Sequence, residues 1–388
     1  MSRPRTYLDF NATSPLRPVA RICMIEALDR VGNPSSVHTE GRRARGLVET
    51  ARADVAALFG TRADHVTFTS GTTEAAALAL TPALQDAPVQ APADRLLVAA
   101  TEHPAVLQGH RFAADRVSLL PVQSDGILDL EALRHALASI SGRCIVAVQA
   151  ANSETGVLQP IHAVADLVHA HGGLLVCDAT QAAGRIDCSF DRLQADVLLV
   201  SSHKIGGPLG VGAMVFASDR LRLGDPLVRG GGQERGLRGG TENVPAIAGF
   251  GAAARAVSGL VETPHLYELR QNLEERLQAS WPEVVMFGDG AERLPNTVAF
   301  AIPGVSNETA LIALDLEGVA VSTGSACSSG KVSSSHVLEA MGVDAHLRTC
   351  VIRVSFGWCS IPADVDRLMV ALGAIVSRIQ RRSTQAAA

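Results

Sequence analysis

Residues 195–208 have the sequence ADVLLVSSHKIGGP. The aliphatic run at 197–200 is typical of a strand that is buried on both faces of a parallel sheet. Lys204 lies just beyond this strand, and the Gly-Gly-Pro sequence that follows ends any regular element. Because ligands of open α/β sheets bind outside the carboxyl ends of the strands, this position suits a lysine that reacts with a ligand. Most lysines are only solvated, and position alone leaves that alternative open.

Similar apolar runs recur along the chain and alternate with stretches of helical spacing. The apolar runs lie at 66–70, 95–100, 143–150, 174–178, 197–201 and 211–216, and helical spacing is found at 131–138 and 161–171. Continuous apolar strands that alternate with helices predict an α/β fold, in which helices cover both faces of a mostly parallel sheet.

The C-terminal third carries a second set of elements. A glycine-rich segment at 229–241 interrupts the first set, and a long helical region follows from Val244 to about Leu277. Further strands are predicted at 295–302, 319–322 and 351–356, with helices at 308–317, at 333–341 and from Pro362 onward. We predict a large domain over residues 15–260. Residues 1–14 and 261–388 are predicted to form a smaller α/β domain with a loop at about 322–333.

The overall composition argues against several functional classes. With 47% hydrophobic residues, 19% charged residues and a net charge of -5, the 388-residue chain resembles an ordinary soluble protein. It has no basic patch for nucleic acid and no polybasic segment for an anionic membrane. The N-terminus lacks the apolar stretch of a signal peptide, and no run of about eighteen apolar residues occurs. We expect a cytoplasmic protein that acts on small molecules or contacts other proteins.

Seven cysteines occur, at 23, 144, 177, 188, 327, 350 and 359. Their odd number, wide spacing and lack of a C-x-x-C arrangement favour free thiols over a disulfide framework or a zinc site, and no metal site is predicted. Six have apolar or mixed neighbours and are expected to be buried as small hydrophobic residues. Cys327 differs, because the segment VSTGSACSSGK at 321–331 is typical of an exposed loop.

Asp178 ends another apolar run, LLVC, and precedes Lys204 by enough residues for one strand-to-strand crossover. Pyridoxal 5'-phosphate (PLP) requires a lysine that forms a Schiff base and an acid that keeps the pyridinium nitrogen protonated. The pair therefore favours a PLP site. For Asp178 alone, a helix N-cap is the alternative.

The segment TSGTTE at 69–74 follows a predicted strand and leads into a helix. Backbone N–H groups at a helix start bind phosphate, although a helix-capping role is the common alternative. His103, in TEHP at 101–104, ends the next predicted strand. This histidine can stack on a cofactor ring or transfer protons, and a structural surface histidine is the alternative.

Nine motifs carry a resemblance to a known family. In order they are YLDFNAT, GNPSSVH, TSGTTE, TEHPAV, DATQAAG, SSHKIGGPLGVGA, GGGQERGLRGGTEN, STGSACSSGK and VIRVSFG. Together they span almost the whole chain, which resembles the PLP-dependent cysteine desulfurases of the nitrogen-fixation and iron-sulfur-cluster type. The resemblance implies the fold-type I, class V aminotransferase fold, with a mostly parallel seven-stranded sheet, and a homodimer.

The resemblance also implies which residues carry out the reaction. Lys204 carries PLP as a Schiff base and moves the α-proton, and the other catalytic residues are His103, stacked on the ring, and Cys327. Arg353, in VIRVSFG, matches the arginine that binds the substrate carboxylate, a task that suits its planar fork of donors.

The cofactor ligands are likewise implied by the resemblance. They are Thr72, Thr73, Asn152, Ser153, Asp178, Gln181, Ser201, His203, Lys204 and Thr241. Asp178 faces the ring nitrogen, Gln181 faces the phenolic oxygen, and Thr241 reaches the phosphate from the other subunit. The chain departs from the family pattern in one place, because Ser153 stands where the family has its ring-contacting asparagine. A serine is a shorter donor.

The implied activity is conversion of L-cysteine to L-alanine, with the sulfur left on Cys327 as a persulfide. The loop sequence resembles the long-loop group of the family, whose cysteine reaches an iron-sulfur scaffold or another sulfur acceptor. In such a complex Cys327 can transiently ligate iron or a cluster. Selenocysteine lyase is an alternative. An aminotransferase would leave Cys327 without a role, and an inactive scaffold protein would not need Lys204 and Arg353.

Overall fold

The computed structural model describes residues 5–86, 91–259, 262–323 and 335–387, with the side chains of the last helix described up to residue 379. The strands are β1 Thr6–Tyr7, β2 Val66–Thr69, β3 Leu84–Asp86, β4 Arg95–Ala99, β5 Val117–Leu120, β6 Cys144–Gln149, β7 Leu174–Asp178, β8 Val197–Ser201, β9 Gly212–Phe216, β10 Leu221–Leu223, β11 Val285–Met286, β12 Thr297–Ala301, β13 Val319–Ala320 and β14 Val351–Ser355. The helices are α1 Pro18–Leu28, α2 Thr39–Leu58, α3 Thr72–Ala79, α4 Pro104–Leu107, α5 Leu130–Ala138, α6 Ile161–Ala170, α7 Phe190–Leu193, α8 Val244–Val257, α9 Thr263–Ser280, α10 Asn307–Leu316, α11 His336–Ala340, α12 Ala345–Arg348 and α13 Pro362–Ala387.

The main sheet has seven strands in the order β2-β9-β8-β7-β6-β4-β5. The strands from β8 to β5 run parallel, whereas β9 is antiparallel to both β8 and β2. The predicted α/β fold with a mostly parallel sheet is therefore confirmed. The edge strand β5 was not predicted, because Ser118 and Leu119 are exposed and the segment lacks a continuous buried pattern.

Both faces of the main sheet are covered, as the apolar strands predict. On β7, Leu175 and Cys177 pack into a core that includes residues of α2, α6 and α8. The alternate residues, Leu174 and Val176, pack into a second core with residues of α3. This alternation explains why the strand is apolar at every position up to Asp178.

A second, smaller sheet contains β11, β12 and β14 in antiparallel order. It packs with α9 and α13 around a separate core that includes Leu273, Phe300 and Leu368. The N-terminal strand β1 pairs in parallel with β13, so the first described residues lie beside the C-terminal part of the chain. The division into two domains at residues 15 and 260 stays a prediction.

The helical region predicted from Val244 to about Leu277 consists of two helices, and the expectation of one long helix was wrong. Helix α8 ends at Val257, where Ser258 takes an extended backbone conformation (φ -61°, ψ 135°). Gly259 follows with a φ of +85°, a value that favours glycine and cannot continue a helix. Helix α9 then begins at Thr263 with a proline in its first turn.

The cysteines within the described residues are free thiols, and four of them are buried, at 144, 177, 188 and 350. The expectation of burial was wrong for Cys359, which is exposed in the turn between β14 and α13. Cys23 is only half-buried, because α1 packs on α8 and leaves its outer side open. Cys327 lies outside the described residues.

Candidate active site

A cavity of about 540 Å³ opens beside the carboxyl ends of β7 and β8. Most of the predicted site residues line it, although they come from distant parts of the chain. They are Thr72, Thr73, His103, Ser153, Asp178, Gln181, Ser201, His203, Lys204 and Arg353. The edge at which the sheet topology predicts a ligand is therefore the edge that holds the cavity.

The Lys204 amine is held by main-chain carbonyl groups. Its Nζ donates to the carbonyl oxygen of Asn11 at 2.6 Å and to that of Ala12 at 2.9 Å. The glycine break beyond the lysine is needed for packing, because a Cβ on Gly206 would lie 2.6 Å from Cγ of Arg17. The N-terminal segment thus reaches the lysine and fixes where its amine points.

Asp178 is the last residue of β7, and Gln181 lies on the turn that follows this strand. The Asp178 carboxylate accepts a hydrogen bond from the backbone N–H of Thr180 at 2.9 Å, and its residue is 8% exposed, on the cavity wall. The Gln181 amide donates from Nε2 to the carbonyl oxygen of Asn11 at 2.9 Å. Its Oε1 accepts from Nη1 of Arg185 at 2.6 Å.

His103 begins α4 as its N-cap and also lines the cavity. Its Nδ1 accepts from the backbone N–H of Ala105 at 3.1 Å, so in the neutral ring the proton lies on Nε2. Burial lowers the pKa of His103, and the charge of Lys204 acts in the same direction, while Asp178 opposes both. The imidazole is therefore neutral at neutral pH. The position on the cavity wall supports a functional histidine over a surface one.

The start of α3 forms an anion cradle. Gly71 is the N-cap of this helix and no side chain caps its first turn, so the first N–H groups remain available to an anion. Glu74 accepts from the N–H of Ser70 at 2.7 Å instead of capping the first turn. The backbone approaches closely here, because a Cβ on Gly212 would lie 2.7 Å from the Cα of Gly71.

The remaining members of the cradle are hydroxyl and imidazole groups. The Thr72 hydroxyl lies 2.7 Å from that of Thr180, and Ser201 ends β8 beside them. Nδ1 of His203 lies 3.1 Å from the Thr13 hydroxyl. Burial, together with the charge of Lys204, lowers the pKa of His203 to about 4, so this imidazole is neutral and can donate one hydrogen bond.

Arg353 lies on β14 and is 2% exposed. Nη2 donates to Asp9 at 2.7 Å and Nη1 to the carbonyl oxygen of Ser153 at 3.2 Å, but the buried Nε has no hydrogen-bond partner within the described residues. A buried guanidinium with an unused donor beside a cavity suits an incoming carboxylate.

Two of the predicted residues that the structure describes, Asn152 and Thr241, do not line this cavity. The Asn152 side chain stabilises the turn that follows it, because its Oδ1 accepts from the N–H groups of Glu154 and Thr155, both at 2.9 Å. Its neighbour Ser153 lines the cavity instead. Thr241 lies in an exposed segment away from the cavity, and Cys327 lies outside the described residues.

Sequence reasoning missed several residues that shape the cavity. Asn11 and Thr180 lie in the motifs YLDFNAT and DATQAAG, but their contacts depend on which main-chain groups the fold places nearby. Two further buried charged residues are close in sequence to predicted site residues: Arg185 lies four residues after Gln181, and Glu154 directly follows Ser153. For both Arg185 and Glu154, the available sequence signal was a charged residue within a segment of apolar or small residues.

The comparisons with known proteins agree with this geometry. A family model described as aminotransferase class-V matches residues 6–368. The chain belongs to this family. A cysteine desulfurase from Cereibacter sphaeroides is 39% identical to it, over 98% of this chain and 97% of that protein. An IscS-like cysteine desulfurase from Mycobacterium tuberculosis is 38% identical, over 98% of each chain. The resemblance to cysteine desulfurases is thus confirmed.

Solved structures align with this fold over nearly the whole chain. A NifS-like protein from Rickettsia africae aligns with a TM-score of 0.86 and 32% identity, over 96% of this chain and 99% of that one. SspA in complex with cysteine aligns with a TM-score of 0.76 and 25% identity, over 90% of this chain and 98% of that one.

Class V aminotransferases of the cysteine desulfurase group are PLP-dependent enzymes. The donor set of this cavity fits the cofactor, because it supplies an amine, a carboxylate and an uncapped helix start that suits a phosphate. Among the residues that the structure describes, no helix has the length and apolar character that crossing a membrane requires.

Proposed function

We propose that this chain is a PLP-dependent L-cysteine desulfurase that transfers sulfur from L-cysteine to Cys327 and then to an acceptor protein. The observation that carries the proposal is the convergence of Lys204, Asp178 and Arg353 on one cavity. Close relatives over nearly the whole chain are cysteine desulfurases, and the related SspA structure contains cysteine.

The chain's own residues bind and orient the cofactor. Lys204 attaches it, Asp178 pairs with its ring nitrogen, and Gln181 donates to its phenolic oxygen. The phosphate is held by Thr72, Thr73, Ser201 and His203, around the uncapped start of α3. When bound, PLP withdraws electrons from the α-carbon of the amino acid, so that its C–H bond can break. Ser153, which lines the same cavity, would be a short donor to the ring.

Arg353 and Lys204 act on the substrate. The unused Nε of Arg353 would donate to the carboxylate of L-cysteine, while Asp9 and the carbonyl oxygen of Ser153 hold the two Nη atoms. Lys204 would take the α-proton at Nζ, a nitrogen that two main-chain carbonyl groups orient. His103 is neutral and lies on the cavity wall, where it would stack on the ring and donate a hydrogen bond from Nε2.

The sulfur step joins two thiols without an external oxidant. The Cys327 thiolate attacks the sulfur of the substrate, an S–S bond forms, and the bond between that sulfur and the substrate β-carbon breaks. The electron pair of the broken bond stays on the carbon and is protonated, which gives L-alanine. The sulfur remains as a persulfide on Cys327, ready for the thiol of an acceptor.

We also propose the assembly and its partner. Helix α1 exposes apolar side chains, with Val19 47%, Ile22 55% and Leu28 67% exposed, and a homodimer would cover them. In that dimer, Thr241 from its exposed segment contacts the phosphate in the partner. The acceptor is an iron-sulfur scaffold or another sulfur-acceptor protein in the cytoplasm, where Cys327 can transiently ligate iron or a cluster.

The test is the yield of sulfide and alanine from L-cysteine in the presence of a thiol reductant, with and without candidate acceptors. We expect both products from the parent enzyme in equal amounts. Cys327→Ala should keep the absorbance of the bound cofactor and lose sulfide release. Lys204→Ala, as the matched control, should lose that absorbance. Sulfide release by Cys327→Ala at the parent rate would contradict the assignment of the nucleophile.

A further inference from the structure

A buried arginine lies behind the wall of the cavity. Arg185 is 6% exposed and lies on the turn segment that follows β7. The groups whose charge acts on it are the guanidinium of Arg353 and the thiol of Cys188, so within the described part of the chain it is a buried cation without a carboxylate partner. Burial lowers the pKa of Arg185 to about 10, which leaves the guanidinium protonated at neutral pH. Such a charge is costly to bury and calls for an explanation.

The Nη1 atom of Arg185 donates to a single residue, Gln181. This nitrogen donates to the carbonyl oxygen and to Oε1 of Gln181, both at 2.6 Å. Because a guanidinium can only donate, the amide oxygen of Gln181 must face Arg185 and its nitrogen must face away. The Nε2 atom gives one hydrogen to the carbonyl oxygen of Asn11 at 2.9 Å, and its second hydrogen remains for the cavity that Gln181 lines.

The same contacts lead on to the lysine. The carbonyl oxygen of Asn11 that accepts from Gln181 also accepts from Nζ of Lys204 at 2.6 Å. A single series of hydrogen bonds therefore runs from Arg185 through Gln181 and Asn11 to Lys204. Although Arg185 does not line the cavity, this series connects it to three residues that do, Gln181, Asn11 and Lys204.

We propose that Arg185 is a positioning residue, which fixes the Gln181 amide with its N–H toward the phenolic oxygen of PLP and places a permanent positive charge behind it. The proposal rests on the proposed function only in that PLP must be bound at Lys204. It concerns the electronic state of the bound cofactor and not the fate of the sulfur.

We expect the substitution of Arg185 to shift the midpoint of the pH titration that is followed by the absorbance of bound PLP. A donor and a positive charge near the phenolic oxygen stabilise its anionic form, so the proton shared with the lysine nitrogen is lost at lower pH. Without Arg185 that proton should persist to higher pH. The other titratable or charged groups on the cavity wall are unchanged by the substitution: His103, Asp178, His203, Lys204 and Arg353.

The experiment is an absorbance titration of the holoenzyme without substrate. Arg185→Met keeps the length of the side chain and removes an unpartnered buried charge, so we expect it to fold. Its titration midpoint should rise by about one pH unit. Arg185→Lys should restore most of the parental midpoint, because it keeps the charge and one donor. If Arg185→Met fails to fold, Arg185→Gln removes the same charge and provides the same measurement.

The matched control is Arg270→Gln, at another buried arginine that donates to main-chain carbonyl groups, of Arg293 and Leu294. It should lower the stability and leave the midpoint unchanged. A folded Arg185→Met or Arg185→Gln holoenzyme with the parental midpoint would overturn the proposal and leave Arg185 a structural residue. Sulfide release by the parent enzyme is measured separately, so failure of the proposed function and failure of this inference give different results.

Discussion

Glu154 is a carboxyl group buried beside the cavity, 6% exposed, one residue from Ser153. Burial raises the pKa of Glu154 to about 7, while the Ser335 hydroxyl, which donates to its Oε2 at 2.5 Å, and the charge of Arg353 act in the opposite direction. The folded protein therefore binds a proton that the unfolded chain releases near pH 4.5.

The sign of the linkage gives a prediction for Glu154→Gln. Between about pH 4.5 and 7 the folded state holds more protons than the unfolded state, so the free energy of unfolding falls as the pH rises, by about 3 kcal/mol in total. The amide has no such proton. We expect Glu154→Gln to be more stable than the parent at pH 8 and to gain little at pH 5.

Urea unfolding of the two proteins at both pH values measures this difference. Glu131→Gln, at an exposed glutamate on α5, is the control and should not alter the pH profile in this range. An equal stability difference at pH 5 and pH 8 would show that the proton on Glu154 does not contribute.

Among the side chains around the cavity, those proposed to contact the cofactor were more predictable than those that orient them. Lys204 and Asp178 follow apolar strands, which predicts that both lie at one edge of the sheet. Arg353 followed only from the resemblance to a family. Arg185 and Asn11 orient Gln181 through a guanidinium and a main-chain carbonyl group. Neither an arginine nor an asparagine indicates by its place in the sequence that it will make such a contact.

Among the elements, the close approach of β9 to the start of α3 gives a second prediction. A Cβ at Gly212 would lie 2.6 Å from the carbonyl oxygen of Val200 and 2.7 Å from the Cα of Gly71. Gly212→Ala should push the first turn of α3 out of place, and the affinity of the apoenzyme for PLP should fall about tenfold. Fluorescence titration with PLP measures this.

Gly46→Ala is the matched control for that experiment. Gly46 lies inside α2, and a Cβ there would have no atom within 4 Å. This substitution should leave the PLP affinity unchanged and raise the stability by roughly 0.5–1 kcal/mol, because alanine favours the helix. Equal PLP affinities for Gly212→Ala and Gly46→Ala would contradict the assignment of the cradle.

The predicted elements were most accurate where the strands are buried on both faces. The observed bounds of β7 and β8 equal the predicted ones, 174–178 and 197–201. The edge strand β5 was missed since half of its side chains face outward. The predicted helix after Val244 was too long, because a single glycine with positive φ interrupts it and a glycine is compatible with either conformation.

For the whole molecule, the exposed side of α1 gives a third prediction. Ile22→Glu should prevent formation of the proposed homodimer, because it places a charge in an apolar contact. Since Thr241 is proposed to reach the phosphate of the partner, bound PLP should decrease as well. Sedimentation and cofactor absorbance measure the two effects.

Val370→Glu, at a position 74% exposed on α13, is the control and should leave both quantities unchanged. If Ile22→Glu forms a dimer with the same dependence on protein concentration as the parent, α1 is not the contact between the subunits. The proposed homodimer was predicted only from the resemblance to a family. Exposed apolar residues are common in any sequence, and they indicate a contact only once they lie together on one side of a helix.

The N-terminal segment has a consequence for how the protein is made. The N–H of Asn11 donates to the hydroxyl of Ser355, which is 344 residues later in the chain. The carbonyl oxygen of the same Asn11 accepts from the Lys204 amine. Ribosomes add roughly 5–20 residues per second. Lys204 therefore reaches its final surroundings only after Ser355 has been synthesised, on the order of a minute or less later, and we expect the nascent chain to bind PLP only after that point.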